Sequence, residues 1–488
     1  TQEESGIAEK SSDSGTFREK PGASSQEVFL SDERKDTPPG KPGGEKPPEI
    51  TGLSGERADQ RKDIPYALDQ KHTAAAEKAP VEEKPLGTVR KRATEDVFGR
   101  RGGFVHPFLS VTEYYTDNVF YAAENKKSDF VTILSPGIWL TIPHVYEKML
   151  EIETSNISPG GLTLGREKPE SFRRYQVYMF YNADIEQFAE YSSENTISHK
   201  AEGLFQYNLK GGLSLELADQ YTASHDVRGT GTSSRLDKYR NNLANFIATY
   251  ELSERFKLRV DYNNFLVNYT ASRNDFRDRD DNALSGYLFY RLQPKTTLFI
   301  EYEYLDVRYE EDVLSDSREH HYFCGVQWDI TAKSKGSVKA GYGVKDFSRG
   351  SVNNSDDFIL EAQIDHKFTP KTSLIVKASR RTNETNISTA DYILSDSVEV
   401  EYLQKITGKI TCDIKLAYSH DDYRGDVFLN GEREELEDNY FLGAFALQYK
   451  FKEWLEMDLG YIYDRRDSSF SDFDYTSNIG FIKVTGSL

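Results

Sequence analysis

Along most of this chain, apolar residues recur at every second position. In WLEMDLGYIYDRRD (454–467), Leu455, Met457, Leu459, Tyr461 and Tyr463 lie two apart, with Glu456, Asp458 and Asp464 between them. Successive side chains on a β-strand point to opposite faces, so the segment has one oily face and one acidic face. FKLRVDYNN (256–264) repeats the pattern: Phe256, Leu258, Val260 and Tyr262 oppose Lys257, Arg259, Asp261 and Asn263. In DFILEAQIDHKF (357–368), Phe358, Leu360, Ala362 and Ile364 oppose Glu361, Gln363 and Asp365. In KITCDIKLAYS (409–419), Ile410, Cys412, Ile414, Leu416 and Tyr418 oppose Lys409, Thr411, Asp413 and Lys415. TLFIEYEYLDV sets Glu301 and Glu303 on one face, and SLIVKASR places Lys377 on such a row. Many of these runs exceed the ~5–6 residues usual in globular sheets and reach the ~9–11 that a tilted strand needs to cross a bilayer. No helical period interrupts them, and no stretch of 18 apolar residues marks a transmembrane helix.

The connections alternate between short and long. LKGG (209–212), LSER (252–255), LQPKT (292–296), FTPKT (368–372), KITGK (405–409) and KFKEW (450–454) read as tight turns. Between them fall polar loops such as ASRNDFRDRDD (271–281), YRGDVFLNGEREELED (423–438) and RRDSSFSDFD (465–474). Short turns on one rim and long loops on the other are the mark of an outer-membrane barrel. About fifteen strands follow residue 197, and three more are predicted near 103–116, 128–142 and 173–191. With both chain ends on the periplasmic side the total must be even. The fold expected is therefore an all-β, antiparallel up-and-down transmembrane barrel of about 18 strands over 101–488. That count makes 143–171 a periplasmic insertion, and its SPGGLTLG would suit an extra hairpin outside the main wall.

Charge decides which face meets lipid. A cation at the bilayer midplane costs ~2–4 kcal/mol and an acid somewhat less, so the apolar rows must face outward. Leu258, Val260, Leu360, Ile414, Leu416, Leu455, Met457, Leu459, Val484 and Leu488 are the predicted lipid-facing residues. Lys257, Arg259, Asp261, Glu301, Glu303, Glu361, Asp365, Lys377, Lys409, Asp413, Lys415, Glu456 and Asp458 are predicted to line a lumen. A barrel of ~18 strands is too wide for side chains alone to fill. Ile482, Val484, Gly486 and Leu488 form a closing row at the C-terminus; Leu488 stands where such rows usually end in an aromatic.

Composition adds three things. The chain has 488 residues and a mean hydropathy of -0.67, which a barrel tolerates because only every second residue meets lipid. Its 31 Tyr suit membrane interfaces, and only Tyr66 falls in the first hundred residues. Residues 1–100, rich in Glu, Lys, Pro, Ser and Gly, are expected to be a disordered periplasmic tail. They carry -3 of the net charge of -19, so neither part is basic and a nucleic-acid partner is not expected. A chain beginning at Thr1 reads as a mature form whose export signal has been removed.

Little chemistry is evident. Neither Cys324 nor Cys412 has a CxxC neighbour, and both fall on predicted lipid rows. His320 and His321 point to opposite faces of a strand, which is poor geometry for chelating one metal, and they read as ordinary loop-end residues. RNDFRDRDD lacks the Gly and terminal Glu of an EF-hand loop; its acidic groups read as a solvated rim, or as a bridge through divalent cations to lipopolysaccharide. No GxSxG or HExxH occurs, so no catalytic residue, cofactor or metal is expected.

YTDNVFYAAENKKSDFVTILSPGIWLTIP (115–143) and FYNADIEQFAEYSSENTISHKAEGLFQYNL (180–209) resemble the opening hairpins of the putative β-barrel porin 2 family. The resemblance implies a barrel that accompanies exopolysaccharide or capsule production in the outer membrane of a Gram-negative bacterium. Its implied partners are outer-membrane lipids and lipopolysaccharide, a polysaccharide cargo and a periplasmic polysaccharide-export protein. A general diffusion porin, and a structural or assembly barrel holding a partner in its lumen, remain open on the residues alone.

Overall fold

A computed structural model describes residues 103–143, 152–166, 173–226, 236–331, 333–350, 352–425, 428–429, 432–433 and 435–488. The N-terminal tail expected over 1–100 lies outside the described residues.

The chain climbs and descends in order through β1 (Val105–Thr116), β2 (Asp129–Ile142), β3 (Tyr175–Phe188), β4 (Thr196–Asn208), β5 (Leu213–His225) and β6 (Lys238–Glu251). It continues through β7 (Phe256–Tyr269), β8 (Arg279–Gln293), β9 (Thr296–Tyr309), β10 (Ser317–Thr331), β11 (Ser334–Phe347) and β12 (Ser355–Thr369). β13 (Thr372–Asn383), β14 (Tyr392–Lys405) and β15 (Ile410–Arg424) follow. A two-rung hairpin, β16 (Phe428–Leu429) and β17 (Glu432–Arg433), interrupts the next loop before β18 (Leu436–Lys452), β19 (Leu455–Ser468) and β20 (Tyr475–Ser487).

Apart from that hairpin, every strand pairs antiparallel with its neighbour in sequence, and β20 pairs with β1 to close an 18-stranded barrel. Closure removes both sheet edges, so no strand leaves its backbone groups unpaired in lipid. The final residue takes part, since the Leu488 N–H donates to the Pro107 carbonyl at 3.0 Å.

The alternation read from the sequence is the alternation of the wall. Leu459 is 53% exposed and Leu416 57% exposed on the outer surface, whereas Asp458 and Asp413 on the opposite rows are buried. One rim can be located on this surface. At the short-turn rim an exposed apolar residue marks turn after turn: Leu209, Leu252, Leu292, Phe368, Ile406 and Trp454.

Around the middle of the strands runs a ring of tyrosines. Tyr181, Tyr262, Tyr302, Tyr418 and Tyr461 bond through their hydroxyls to His199, Asn282, His320, Asn439 and Asn478, at 2.5–3.0 Å. Tyr342 donates likewise to Asp356. Each partner sits two residues before the residue directly opposite the tyrosine on the next strand. The hydroxyls therefore all lean towards the long loops, each finding a polar partner while its ring stays on the oily face.

One expectation is corrected. The 143–171 insertion leaves the short-turn rim as expected, but its described part does not stay outside the wall. Residues 152–166 fold into the barrel, where Ile152, Ser155, Asn156, Ile157 and Ser158 are buried. The SPGG turn does make a hairpin, bridged at Thr154 and Leu162. The physical reason is its company. Ile152 packs with Tyr178, Leu204, Leu243 and Phe265 on the inner wall, and Leu162 packs against the same cluster.

Candidate functional site in the lumen

The inner wall is a lattice of ion pairs. Residues i and i+2 of one strand share a face, so RVD on β7 places Arg259 beside Asp261, with Nε–Oδ1 at 2.6 Å. Across strands, Lys339 on β11 sits between Glu301 on β9 and Glu361 on β12, at 2.9 and 3.1 Å. Higher on the same wall, the two ring nitrogens of His321 face Glu303 at 2.9 Å and Glu319 at 3.0 Å. Glu319 also meets Lys345 at 2.8 Å, and Lys345 pairs with Glu384. Further round, Lys415 lies 2.8 Å from Glu399. Aromatic faces carry part of the positive charge: Lys257 lies 4.4 Å from the Phe289 centroid and Lys339 4.1 Å from that of Phe323.

Most of the predicted lumenal residues meet in this lattice. Arg259, Asp261, Glu301, Glu303, Glu361 and Lys377 fall on the arc against which the insertion lies, while Asp413, Lys415, Glu456 and Asp458 occupy inner rows of β15 and β19. Asp365 stands towards the short-turn rim, 3.9 Å from an exposed Lys335. Lys409 is not on the wall; it is exposed in the turn before β15, where its carbonyl accepts the Lys450 N–H at 2.8 Å. The turn ends one residue later than the alternation suggested. The predicted lipid-facing residues stand on outward rows, with Leu360, Leu455 and Met457 half-buried there.

His320 and His321 do face opposite ways, but they lie within β10, not at a loop end. Cys324 and Cys412 are free thiols on the outer surface. The acidic groups of RNDFRDRDD are engaged by protein. Asp281 pairs with Arg279 at 3.1 Å, Asp278 accepts from the Tyr269 N–H at 2.6 Å and Asp280 accepts from Asn264 at 2.7 Å, while the segment's Arg277 and Arg273 pair with Asp226 and Asp237 of the preceding loop. Among the described residues no cluster of three or more His, Cys, Asp or Glu is arranged for a metal.

Into this lattice the hairpin 152–166 is fastened at both ends. Arg166 meets Glu216 of β5 at 2.5 Å with both side chains enclosed, and Lys377 of β13 pairs with Glu153. At the tip, Asn156 accepts from Asn241 at 2.7 Å and donates to the Tyr269 hydroxyl at 3.3 Å. The Glu384 N–H, from the loop after β13, donates to the Ile157 carbonyl at 2.7 Å. The hairpin thus rises from the short-turn rim to the long-loop rim.

Between these points the wall holds the hairpin by its main chain. Arg279 donates to the Ser158 carbonyl at 3.2 Å, Arg381 to that of Leu162 at 2.7 Å, Gln363 to that of Gly165 at 3.1 Å and Arg259 to that of Arg166 at 2.8 Å. Asp281 accepts from the Gly160 N–H at 3.0 Å and Glu361 from that of Gly165 at 2.9 Å. The fit is close: the polar cleft between hairpin and wall has a volume of about 20 Å³, room for roughly one water. Gly161 shows why small residues sit here. Its φ is +80°, and an added Cβ would stand 2.3 Å from a Phe265 ring carbon.

Sequence reasoning missed Arg166, Glu216, Glu319, Lys339, Lys345 and Arg381. Their signal was present as i, i+2 polar rows, for instance Glu319 with His321. The partners, however, come from strands far apart in sequence.

A closed, outward-apolar barrel with a polar, ion-paired interior defines an outer-membrane β-barrel of the porin type. The chain belongs to the putative β-barrel porin 2 family, whose model matches residues 170–488. Among solved structures it is similar to OccAB4 of Acinetobacter baumannii, at 10% identity and a TM-score of 0.40, over 80% of this chain and 100% of that one. OpdK of Pseudomonas aeruginosa gives 10% identity and 0.39 over 79% and 99%. The siderophore receptor PirA of Acinetobacter baumannii gives 7% and 0.38 over 79% and 80%. These likenesses are distant. The comparison with curated proteins gives no match.

Proposed function

We propose that this outer-membrane barrel is a passive conduit for a secreted polysaccharide. The observation that carries the reading is the pairing of charge on the lumen wall. Lys339 with Glu301 and Glu361, Arg259 with Asp261, and Lys415 with Glu399 leave no ring of one sign to select an ion. Such a wall prefers neither salt ion and offers hydrated, hydroxyl-bearing cargo both donors and acceptors. The barrel supplies the path and no energy. A periplasmic export protein would deliver the chain at the short-turn rim, and lipopolysaccharide would surround the wall above the tyrosine ring.

A second reading, a diffusion porin for small solutes, is supported by the hairpin itself, because a segment inside the lumen narrows the path. Removing the gene separates the two. Loss of surface polysaccharide with small-solute uptake intact is expected. Unchanged polysaccharide with impaired uptake would replace the first reading by the second.

A further inference from the structure

We infer that the inner wall from β5 to β13 is a binding track for an extended polar chain, and that residues 152–166 are its built-in occupant, displaced when cargo passes. The inference rests on the reading of the barrel as a conduit and places the cargo on it.

The argument begins with how the hairpin is held. From Ser158 to Arg166 the wall reaches mostly for carbonyls and amides, not for side chains. Arg259, Arg279 and Arg381 donate, while Asp281 and Glu361 accept. A surface that reads a main chain reads regularly spaced donors and acceptors on a narrow strand. Four of the six residues it reads are small, namely Ser158, Gly160, Thr163 and Gly165, while Leu162 and Arg166 are read at their carbonyls despite their bulk.

The same donors and acceptors remain on the wall if the hairpin leaves. Left bare, a desolvated guanidinium or carboxylate is costly, so an outgoing occupant must be replaced by water or by another polar chain. A sugar hydroxyl both donates and accepts, so a glycan can satisfy Arg and Asp or Glu sites in succession. The hairpin's route supports displacement along the barrel axis. It is rooted at the short-turn rim, its tip touches the long-loop rim at Glu384, and its two arms meet at the bridge between Thr154 and Leu162, with further main-chain bonds in the turn from Ser158 to Ser155 and from Gly161 to Ser158.

The test is current recording across planar bilayers, using the full chain and a variant in which 152–166 is replaced by a short Gly-Ser linker. Folding of each is checked by its heat-dependent gel migration. The folded deletion variant should conduct several-fold more than the parent. A synthetic peptide of residues 152–166 should then block it, and so should maltoheptaose, a neutral hydroxylated probe; neither should alter the parent's current to the same degree. Equal conductance of parent and folded deletion variant would overturn the occupant. Block by the peptide but not by maltoheptaose would overturn the track's fit to a sugar chain.

Should the deletion fail to fold, Asn156→Cys with Asn241→Cys, in a background carrying Cys324→Ser and Cys412→Ser, tethers the tip to β6. With maltoheptaose present as the displacing chain, current should change when the tether is reduced. Identical current before and after reduction would overturn displacement. None of these recordings depends on the cellular polysaccharide, so they can fail while the conduit reading stands, and the converse.

Discussion

The guanidinium of Arg166 lies 2.5 Å from the carboxylate of Glu216, and both side chains are almost wholly enclosed by the barrel. One residue belongs to the insertion and the other to β5, so this contact ties the hairpin to the wall. Breaking an enclosed pair from one side strands a charge, at about 3–5 kcal/mol. Glu216→Gln is therefore expected to loosen the hairpin strongly. Arg166→Met combined with Glu216→Met should lie much closer to the parent. Protease protection of the insertion in detergent-folded barrel checks both, and equal losses in the single and double variants would count against the pair as the fastening.

Gly161 makes a second test of the hairpin's seat. A left-handed backbone costs a residue with a Cβ roughly 1–2 kcal/mol. Here the new methyl would also meet the Phe265 ring. Gly161→Ala should raise the rate at which a thiol at Ser155→Cys reacts with maleimide, in the background lacking both native cysteines. Gly203→Ala serves as a control, because nothing lies within 4 Å of the added Cβ. An unchanged rate for Gly161→Ala would show that the turn is not held as described.

The outer surface makes its own prediction. Leu416 is midway along β15 and 57% exposed on the lipid row. Leu416→Arg should cost about 2–4 kcal/mol in folding into liposomes if it stands near the midplane. Asp413→Ala, on the inward row of the same strand, should lack this membrane-depth penalty. Urea titration of folding into vesicles measures both, and no penalty at Leu416 would remove the lipid from that face.

Much of this was legible in the sequence, for a definable reason. Alternation is a local property with a period of two, so β7, β12, β15 and β19 and their faces could be read from nine to fourteen residues each. Strand number followed from turn spacing and from parity. The insertion was harder to place. ISPGGLTLG shows no alternation and too little apolar surface to demand burial by itself. It enters the lumen because Glu216, Asp281, Glu361 and Arg381, on four different strands, supply matching groups. That is long-range complementarity, and one sequence does not display it. His321 was misread similarly: Glu319 shares its face two residues away, but Glu303 comes opposite only once β9 and β10 are in register.

At the long-loop rim, Asp278 offers a pH test. It lies outside the strands, and partial burial pushes its carboxyl up from 3.8 to about 6, opposed by the Tyr269 N–H it accepts at 2.6 Å. An acid whose folded value is raised favours the folded loop below its ordinary value, and that contribution fades as pH rises through about 6. Asp278→Asn should therefore protect the 270–278 loop from proteolysis at pH 7.5 and leave it unchanged at pH 4. Protection that is the same at both pH values would contradict the assignment.

The most direct measurement is spin-label accessibility at Leu459, Asp458 and Ser155 in reconstituted barrel, read with oxygen and with a water-soluble nickel complex. The account requires oxygen contact at 459, at most restricted nickel contact at 458, and at 155 an immobile label shielded from both. A mobile, nickel-accessible label at 155 would place the hairpin outside the lumen and contradict it.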